Sequence, residues 1–399
     1  KMFVYADNAA TTAVSPKVVD AMLPYFTEIY GNPSSLYGVG QKAKDALEES
    51  REKIAKLLGA SPREIYFTSG GSEADNQAIV SAARLGEKSG KKHIISSAFE
   101  HHAVLHTLEA LEKEGFEVTL LPVHENGIVK VEELKDSIRE DTCLVTIMYV
   151  NNEIGTIQPI EEIASLCKEK DILFHTDAVQ AVNHLHINVK EQNIDMLSIS
   201  AHKFHGPKGV GVLYARSGIA LTNIINGGAQ ERGKRAGTEN LAGIAGMTVA
   251  LDDAISHIDE NNAKLAKLST RLIEKIGNIP YSHLNGDRNS RIKSNVNVCF
   301  EGVEGESLLL LLDQKGIAVS SGSACTSGSL DPSHVLLALG LPAEVAHSSL
   351  RITLGDDATE EQVDYIANTV SEVVEYLRGF SPFWEELISG KRPHIFTEF

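Results

Sequence analysis

Lys203 lies in Ser200-Ala201-His202-Lys203-Phe204-His205-Gly206-Pro207-Lys208-Gly209, directly after the strand-like run 196–199. An amine at a strand end, flanked by histidine and small residues, can be partly buried. Burial lowers the ammonium pKa and frees the amine to form a Schiff base. Most lysines are surface groups in polar loops, so this segment alone decides little. Asp177, in Phe174-His175-Thr176-Asp177-Ala178-Val179-Gln180, ends another strand-like run. A lone aspartate at such a place is commonly a helix N-cap. As a pair, the two residues meet the needs of pyridoxal phosphate. The amine holds the aldehyde carbon, and the carboxylate keeps the pyridine nitrogen protonated so that the ring accepts electrons.

Further segments gain meaning beside that pair. Thr68-Ser69-Gly70-Gly71-Ser72-Glu73 reads as strand, glycines, helix. Backbone N–H groups and the helix dipole there suit a phosphate, although Gly-Gly turns are also frequent for steric reasons alone. The segment matches neither GxGxxG nor GxxxxGK[ST], which disfavours dinucleotide and P-loop readings. Glu100-His101-His102-Ala103 opens a helix after the strand 93–97, and an imidazole there could stack on a planar cofactor and move protons. Asn151-Asn152-Glu153 follows another strand and could bond a ring hydroxyl.

Cys325 sits in Ser320-Ser321-Gly322-Ser323-Ala324-Cys325-Thr326-Ser327-Gly328-Ser329, with no apolar neighbour larger than alanine. Most free cysteines are buried and inert. Small flexible surroundings instead suit an exposed nucleophile that must travel. Cys143, Cys167 and Cys299 lie in apolar-periodic segments and read as core. Arg351, in Leu350-Arg351-Ile352-Thr353, could clamp a carboxylate in bidentate fashion or serve a structural ion pair.

Strands alternating with helices must position these groups. Strands are expected at 65–68, 93–96, 117–121, 144–150, 172–175, 196–199 and 210–214, with helices at 73–86, 101–114, 131–139 and 160–170. That rhythm predicts an α/β fold with a mostly parallel sheet covered on both faces, whose ligands bind at the carboxyl ends of strands. Ser15-Pro16 caps one N-terminal helix carrying Val18, Met22, Tyr25, Phe26 and Ile29 on one face, and Gly59 caps the end of a second. A long helical pattern from Thr238 to about Gly277 leads into a smaller unit with a strand at 296–300, a helix at 306–314 and a final helix at 359–378.

The chain has 399 residues, 42% hydrophobic and 23% charged, with a formal net charge of −17. Such acidity argues against direct nucleic-acid or membrane-surface binding. Four cysteines without a CxxC pair argue against disulfide and zinc frameworks. No apolar run nears the roughly 18 residues of a membrane span, and no secretory signal is evident, so a cytoplasmic location is expected. Lys1 ahead of Met2 reads as a residue left over from expression.

Together these segments resemble the cysteine desulfurases of the NifS/IscS type, within the class V, fold-type I (aspartate aminotransferase-like) pyridoxal-phosphate enzymes. The resemblance runs from Tyr5-Ala6-Asp7-Asn8-Ala9-Ala10-Thr11-Thr12 and Gly31-Asn32-Pro33-Ser34-Ser35 through Gly228-Ala229-Gln230-Glu231-Arg232-Gly233-Lys234-Arg235-Ala236-Gly237-Thr238 to Ser381-Pro382-Phe383-Trp384. It implies a large cofactor domain over 14–260 and a small α+β domain built from 1–13 and 261–399, which carries a mobile cysteine loop at 320–331. It also implies roles. Lys203 holds pyridoxal 5'-phosphate and transfers protons, Asp177 meets the pyridine nitrogen, and Gln180 bonds the phenolic oxygen. His101 stacks on the ring and helps move protons. Gly71, Ser72, Ser200 and His202 hold the phosphate, with Thr238 reaching in from the other subunit of a homodimer. Asn152 supports the ring or the substrate, Asn32 and Arg351 bind the substrate carboxylate, and Cys325 takes the sulfur.

The implied activity converts L-cysteine to L-alanine and leaves a persulfide on Cys325, for iron–sulfur cluster assembly or other sulfur traffic. An acceptor of the IscU/NifU scaffold type is the implied partner. Three alternatives are an aminotransferase, a selenocysteine lyase and a non-catalytic docking scaffold. The first has no use for a mobile cysteine, and the last would not need Lys203, Asp177 and Cys325 together. The C-terminal tail, with Glu385, Glu386, Glu398, Phe396 and Phe399, reads equally as a docking surface or a frayed end.

Overall fold

The structure, a computed structural model, describes residues 2–321 and 331–399. After β1 (Val4–Tyr5), the chain forms α1 (Pro16–Met22), α2 (Pro24–Thr27) and α3 (Gly38–Leu58). Ser15 Oγ accepts from the Val18 N–H at 3.4 Å and Pro16 occupies the first turn, as the capping pattern predicts. The single helix expected through Ile29 does not form. Pro24 has no N–H to give and its ring crowds the preceding turn, so the helix breaks at Leu23. Of the expected apolar stripe only Val18 is buried, and Phe26 is 60% exposed. Gly59 ends α3 in the left-handed region at φ 74°, where a side chain would be strained.

The next segment alternates as expected. It comprises β2 (Ile65–Thr68), α4 (Gly71–Lys88), β3 (His93–Ser97), α5 (His102–Lys113), β4 (Glu117–Leu121), α6 (Val131–Ser137), β5 (Thr142–Thr146), α7 (Ile160–Glu169), β6 (Leu173–Asp177), β7 (Met196–Ser200) and β8 (Gly211–Ala215). These strands form one seven-stranded sheet in the order β2-β8-β7-β6-β5-β3-β4. Only β8 runs against its neighbours. Strands β3, β5, β7 and β8 are buried at every residue, because apolar cores lie on both faces. Each isoleucine so enclosed, such as Ile94 and Ile95, contributes about 1.5–3 kcal/mol. Edge strand β4 is largely exposed. The strand expected over 144–150 is registered in β5 only to Thr146. Beyond it, Ile147 and Tyr149 still donate to the carbonyls of His175 and Asp177.

The long pattern after Thr238 divides into α8 (Leu241–Ser256) and α9 (Ile258–Ile276), bent by 65°. At the break, His257 Nδ1 bonds the Asp253 carbonyl at 2.7 Å, taking the acceptor that a continuing helix would offer the His257 N–H. Neither helix alone is long and apolar enough to cross a membrane. The remainder comprises β9 (Ser282–Leu284), β10 (Asn295–Phe300), α10 (Gly305–Gln314), β11 (Ile317–Ala318), α11 (His334–Ala338), α12 (Ala343–Ala346), β12 (Ser349–Thr353), α13 (Glu360–Arg378) and α14 (Pro382–Ile388). Strands β12-β10-β9 form an antiparallel sheet over a third core, to which Val4 and Ala6 contribute because β1 pairs with β11.

Helix α13 is not the last. Ser381-Pro382 starts α14 by the same capping logic as Ser15-Pro16, with Ser381 Oγ accepting from the Trp384 N–H at 3.1 Å. The tail beyond is not frayed. Glu301 accepts from the Ile395 and Phe396 N–H groups, His394 Nδ1 bonds its other oxygen at 2.7 Å, and Phe396 stacks on His283.

Candidate active site

Because β3, β5, β6 and β7 are parallel, and β2 runs with them, their carboxyl ends open along one edge of the sheet. The turns that the motifs occupy leave from that edge. After β7 a 3-10 turn, Ala201–Lys203, lifts Lys203 over it. The half-buried Lys203 Nζ donates to the carbonyls of Ala9 and Ala10, the latter at 2.9 Å. Gln180, just past β6, donates Nε2 to the same Ala9 carbonyl at 3.0 Å. The N-terminal segment thus joins two proposed cofactor ligands that lie far from it in sequence.

Asp177 ends β6 almost fully buried, and its Oδ1 accepts from the Val179 N–H at 3.0 Å. The helix N-cap weighed from sequence is not formed, because a turn and not a helix follows; the bond closes that turn and leaves one carboxylate oxygen for another donor. Gly71 and Ser72 open α4, whose first turn has no side-chain cap. Gly70 adopts φ 155°, and a Cβ on Gly71 would stand 2.8 Å from Val179 Cγ2, so the turn admits little but glycine. Ser200 lies against it, its Oγ 3.6 Å from where a Gly70 Cβ would be. His202 Nδ1 meets Thr11 Oγ1 at 3.0 Å, and burial, helped by Lys203, pushes its pKa down to about 4, leaving a neutral ring. His101 caps α5: its Nδ1 accepts from the Ala103 N–H at 3.0 Å, so the neutral ring carries its proton on Nε2.

Arg351, on β12, is 2% exposed. Nη2 donates to Asp7 Oδ1 at 3.0 Å and Nη1 to the Asn152 carbonyl at 2.9 Å, while the buried Nε has no hydrogen-bond partner among the described residues. An unsatisfied guanidinium N–H is costly to bury and suits an arriving carboxylate. Of the two asparagines after β5, Asn151 is structural. It donates to Phe99 O and accepts from the Glu153 and Ile154 N–H groups. Asn152 is half-exposed and shares Arg351 through its carbonyl.

Asn32 is exposed, and its Oδ1 makes a local bond to the Ser34 N–H at 2.9 Å. Thr238 is exposed too, beyond a segment pinned by Glu231. That carboxylate takes two bonds from Arg51, at 2.8 and 2.6 Å, and one from the Phe67 N–H at 2.6 Å, although Glu231 and Arg232 both sit at positive φ. Cys325 lies outside the described residues, whereas Cys143, Cys167 and Cys299 are buried free thiols, as expected.

Periodicity and motif reading missed a set of buried acids under the site. Glu100 is fully enclosed, and burial pushes its pKa up to about 8 against the bonds it accepts from Ser97 and the Met148 N–H. Burial raises Glu153 to about 7, where Ser333 donates to it. Asp75, inside α4, is raised well above the carboxylate range by burial and by Asp177. His175 is pushed by burial down to about 4, with Nδ1 on Thr146 Oγ1 at 2.7 Å and Nε2 on Ser198 Oγ at 2.9 Å. The only sequence signal was their place, within five residues of motif positions.

An amine, a buried carboxylate and an uncapped helix N-terminus lie at or just past the carboxyl ends of strands in one sheet, and they are the donor set that pyridoxal phosphate requires. The family model of class-V aminotransferases matches residues 4–366. The chain belongs to that family, whose members use pyridoxal phosphate. Cysteine desulfurase IscS of Clostridium botulinum is 55% identical over 391 residues, covering 97% of this chain and 98% of the relative. That of Methanosarcina thermophila is 56% identical over 379 residues, covering 95% and 94%. A solved NifS-like protein superposes with a TM-score of 0.88 at 40% identity, covering 94% of this chain and all of that one. The structure of SspA in complex with cysteine gives a TM-score of 0.78 at 40% identity, covering 88% and 98%. Within its family the chain is a cysteine desulfurase of the NifS/IscS type.

Proposed function

We propose that the chain binds pyridoxal 5'-phosphate at Lys203 and uses it to move sulfur from L-cysteine to Cys325. The single observation that carries this reading is the convergence of Lys203 and Gln180 on the Ala9 carbonyl, beside Asp177 and the uncapped start of α4. When bound, the cofactor supplies an electron sink that weakens the substrate's Cα–H bond and then its C–S bond. Every other task falls to side chains. The Gly71-Ser72 turn, Ser200 and His202 hold the phosphate, with Thr238 of a second subunit. Asp177 accepts from the pyridine N–H, and Gln180 donates to the phenolic oxygen. Asn152 supports the ring from the side of the substrate.

Arg351, with Asn32, holds the substrate carboxylate, for which the unpartnered Nε is the ready donor. Lys203 Nζ takes the α-proton once its amine is displaced, and His101 Nε2 returns a proton on the way to alanine. The Cys325 thiolate attacks the substrate sulfur, the C–S bond breaks, and the products are alanine and a Cys325 persulfide. The large unit spans 14–260, and the small one combines 1–13 with 261–399 around its own apolar core. Leu23, Phe26, Tyr30, Leu36 and Tyr37 present an exposed apolar face that suits a homodimer. The persulfide then passes to an acceptor such as an IscU/NifU-type scaffold, in the cytoplasm.

Incubation with L-cysteine followed by peptide mass spectrometry tests the assignment. One added sulfur is expected on Cys325 and none in Cys325→Ala, which keeps its bound cofactor. A Cys325→Ala enzyme that turns over cysteine at the wild-type rate overturns it.

A further inference from the structure

Glu73 and Arg235 have no part in the chemistry above, yet they meet at the turn that opens α4. Glu73 is the third residue of that helix, and its side chain is only 7% exposed. Oε1 accepts from the Ser69 N–H at 3.0 Å, so the carboxylate ties the start of the turn to the helix that follows it. A carboxylate in the first turn of a helix is favoured by the dipole, but it also takes up part of the positive potential that would draw a second anion there. Arg235 answers that charge. Nη2 donates to Oε1 at 3.0 Å and Nε to Oε2 at 3.1 Å, a bidentate pair between residues 162 positions apart. One helical turn further along α4, Gln77 Nε2 donates to the Lys234 carbonyl at 2.9 Å, so the segment that carries Arg235 is fixed to the helix twice. Glu231, the acid four residues before Arg235, is already matched by Arg51.

We propose that Arg235 is a positioning residue for the cofactor: by cancelling the Glu73 charge, it lets Glu73 brace the phosphate turn without repelling the phosphate. This rests on Gly71 and Ser72 being the turn that receives the phosphate. Without Arg235, a nearly inaccessible and unpaired carboxylate shares the helix N-terminus with the phosphate, and like charges repel more strongly where water is scarce. Pyridoxal, which lacks the phosphate, is indifferent to that charge.

The test titrates cofactor-free wild type, Arg235→Met, Glu73→Gln, the double variant Arg235→Met with Glu73→Gln, and Ser72→Asp with pyridoxal 5'-phosphate and with pyridoxal, following the Schiff-base absorbance. The ratio of the two affinities reports the phosphate contact alone. Arg235→Met should lower that ratio by roughly 10- to 30-fold, the scale of one unmatched charge at a partly buried helix terminus. Glu73→Gln should hold the ratio at or above wild type, because the amide oxygen still accepts from Ser69 and the cation remains. The double variant should return near wild type, since both charges are gone and the brace is kept. A wild-type ratio in Arg235→Met overturns the proposal. So does a double variant as low as Arg235→Met, or an equal loss in Glu73→Gln, because the pair would then serve the fold and not the charge balance. The Glu73→Gln result stands even where Arg235→Met does not fold. Ser72→Asp separates the two readings by placing a carboxylate on the turn itself. If it leaves the ratio unmoved, the assignment of the phosphate turn fails; if it lowers the ratio while Arg235→Met does not, only the role of Arg235 fails.

Discussion

Arg351 and Asp7 are 344 residues apart, yet Nη2 of the first donates to Oδ1 of the second at 3.0 Å. The pair orients the guanidinium while leaving Nε for a ligand. Of the two roles posed from sequence, the structural ion pair is present, and the substrate clamp is the role proposed for the remaining Nε. Arg351→Lys lacks the planar fork and should raise the KM for L-cysteine by roughly 10- to 100-fold, the worth of a charge-assisted hydrogen bond, with little change in cofactor absorbance. Steady-state kinetics of wild type and Arg351→Lys checks this, and an unchanged KM removes Arg351 from the substrate site.

Lys203→Ala should abolish the Schiff-base absorbance of the bound cofactor and the sulfur transfer together. The Ala10 carbonyl would lose the Lys203 donor, but the Ala9 carbonyl keeps the one from Gln180, so the fold should persist. Absorbance and circular dichroism on the same sample separate the two effects.

Glu231 is tied to Arg51 by two hydrogen bonds in a site where both side chains are nearly inaccessible. Glu231→Ala strands a buried guanidinium and should cost about 3–5 kcal/mol in urea unfolding. Arg51→Met with Glu231→Leu should recover much of it, because replacing both charges removes the uncompensated one.

Glu100 is a neutral acid in the fold with a pKa near 8, against an ordinary value of 4.5. The folded state therefore binds more protons than the unfolded one between those two values, and stability should fall as pH rises through that window. Glu100→Gln cannot ionise and should flatten the fall, on the order of 4 kcal/mol across the window. Urea midpoints of both proteins at pH 5 and pH 8 measure the difference. Parallel pH slopes would show that Glu100 does not carry it.

Much of the scaffold was readable beforehand, because each feature depends on near neighbours. Strands such as His93–Ser97 and Met196–Ser200 are short apolar runs, and Gly59 and Ser15-Pro16 are local punctuation. The break at Pro24 and the start of α14 at Ser381-Pro382 were equally local, and proline chemistry accounts for both. The break at His257 was not, since it depends on an imidazole taking a carbonyl that the backbone normally uses.

The sequence by itself determined the alternation of strands and helices, the loops that follow the strands, and the residue types that make pyridoxal-phosphate chemistry at Lys203 and Asp177 intelligible. Only the tertiary structure decided which acids lose contact with water. Asp75, Glu100 and Glu153 look like ordinary surface carboxylates along the chain, and their protonation follows from the low-dielectric enclosure made by β3, β5, β6 and β7. It also brought the Ala9 and Asn152 carbonyls and the Asp7 carboxylate to the proposed site side chains Gln180 and Arg351. Those bonds join residues 171 to 344 positions apart in the chain, and proximity of that kind arises only when separate elements pack together.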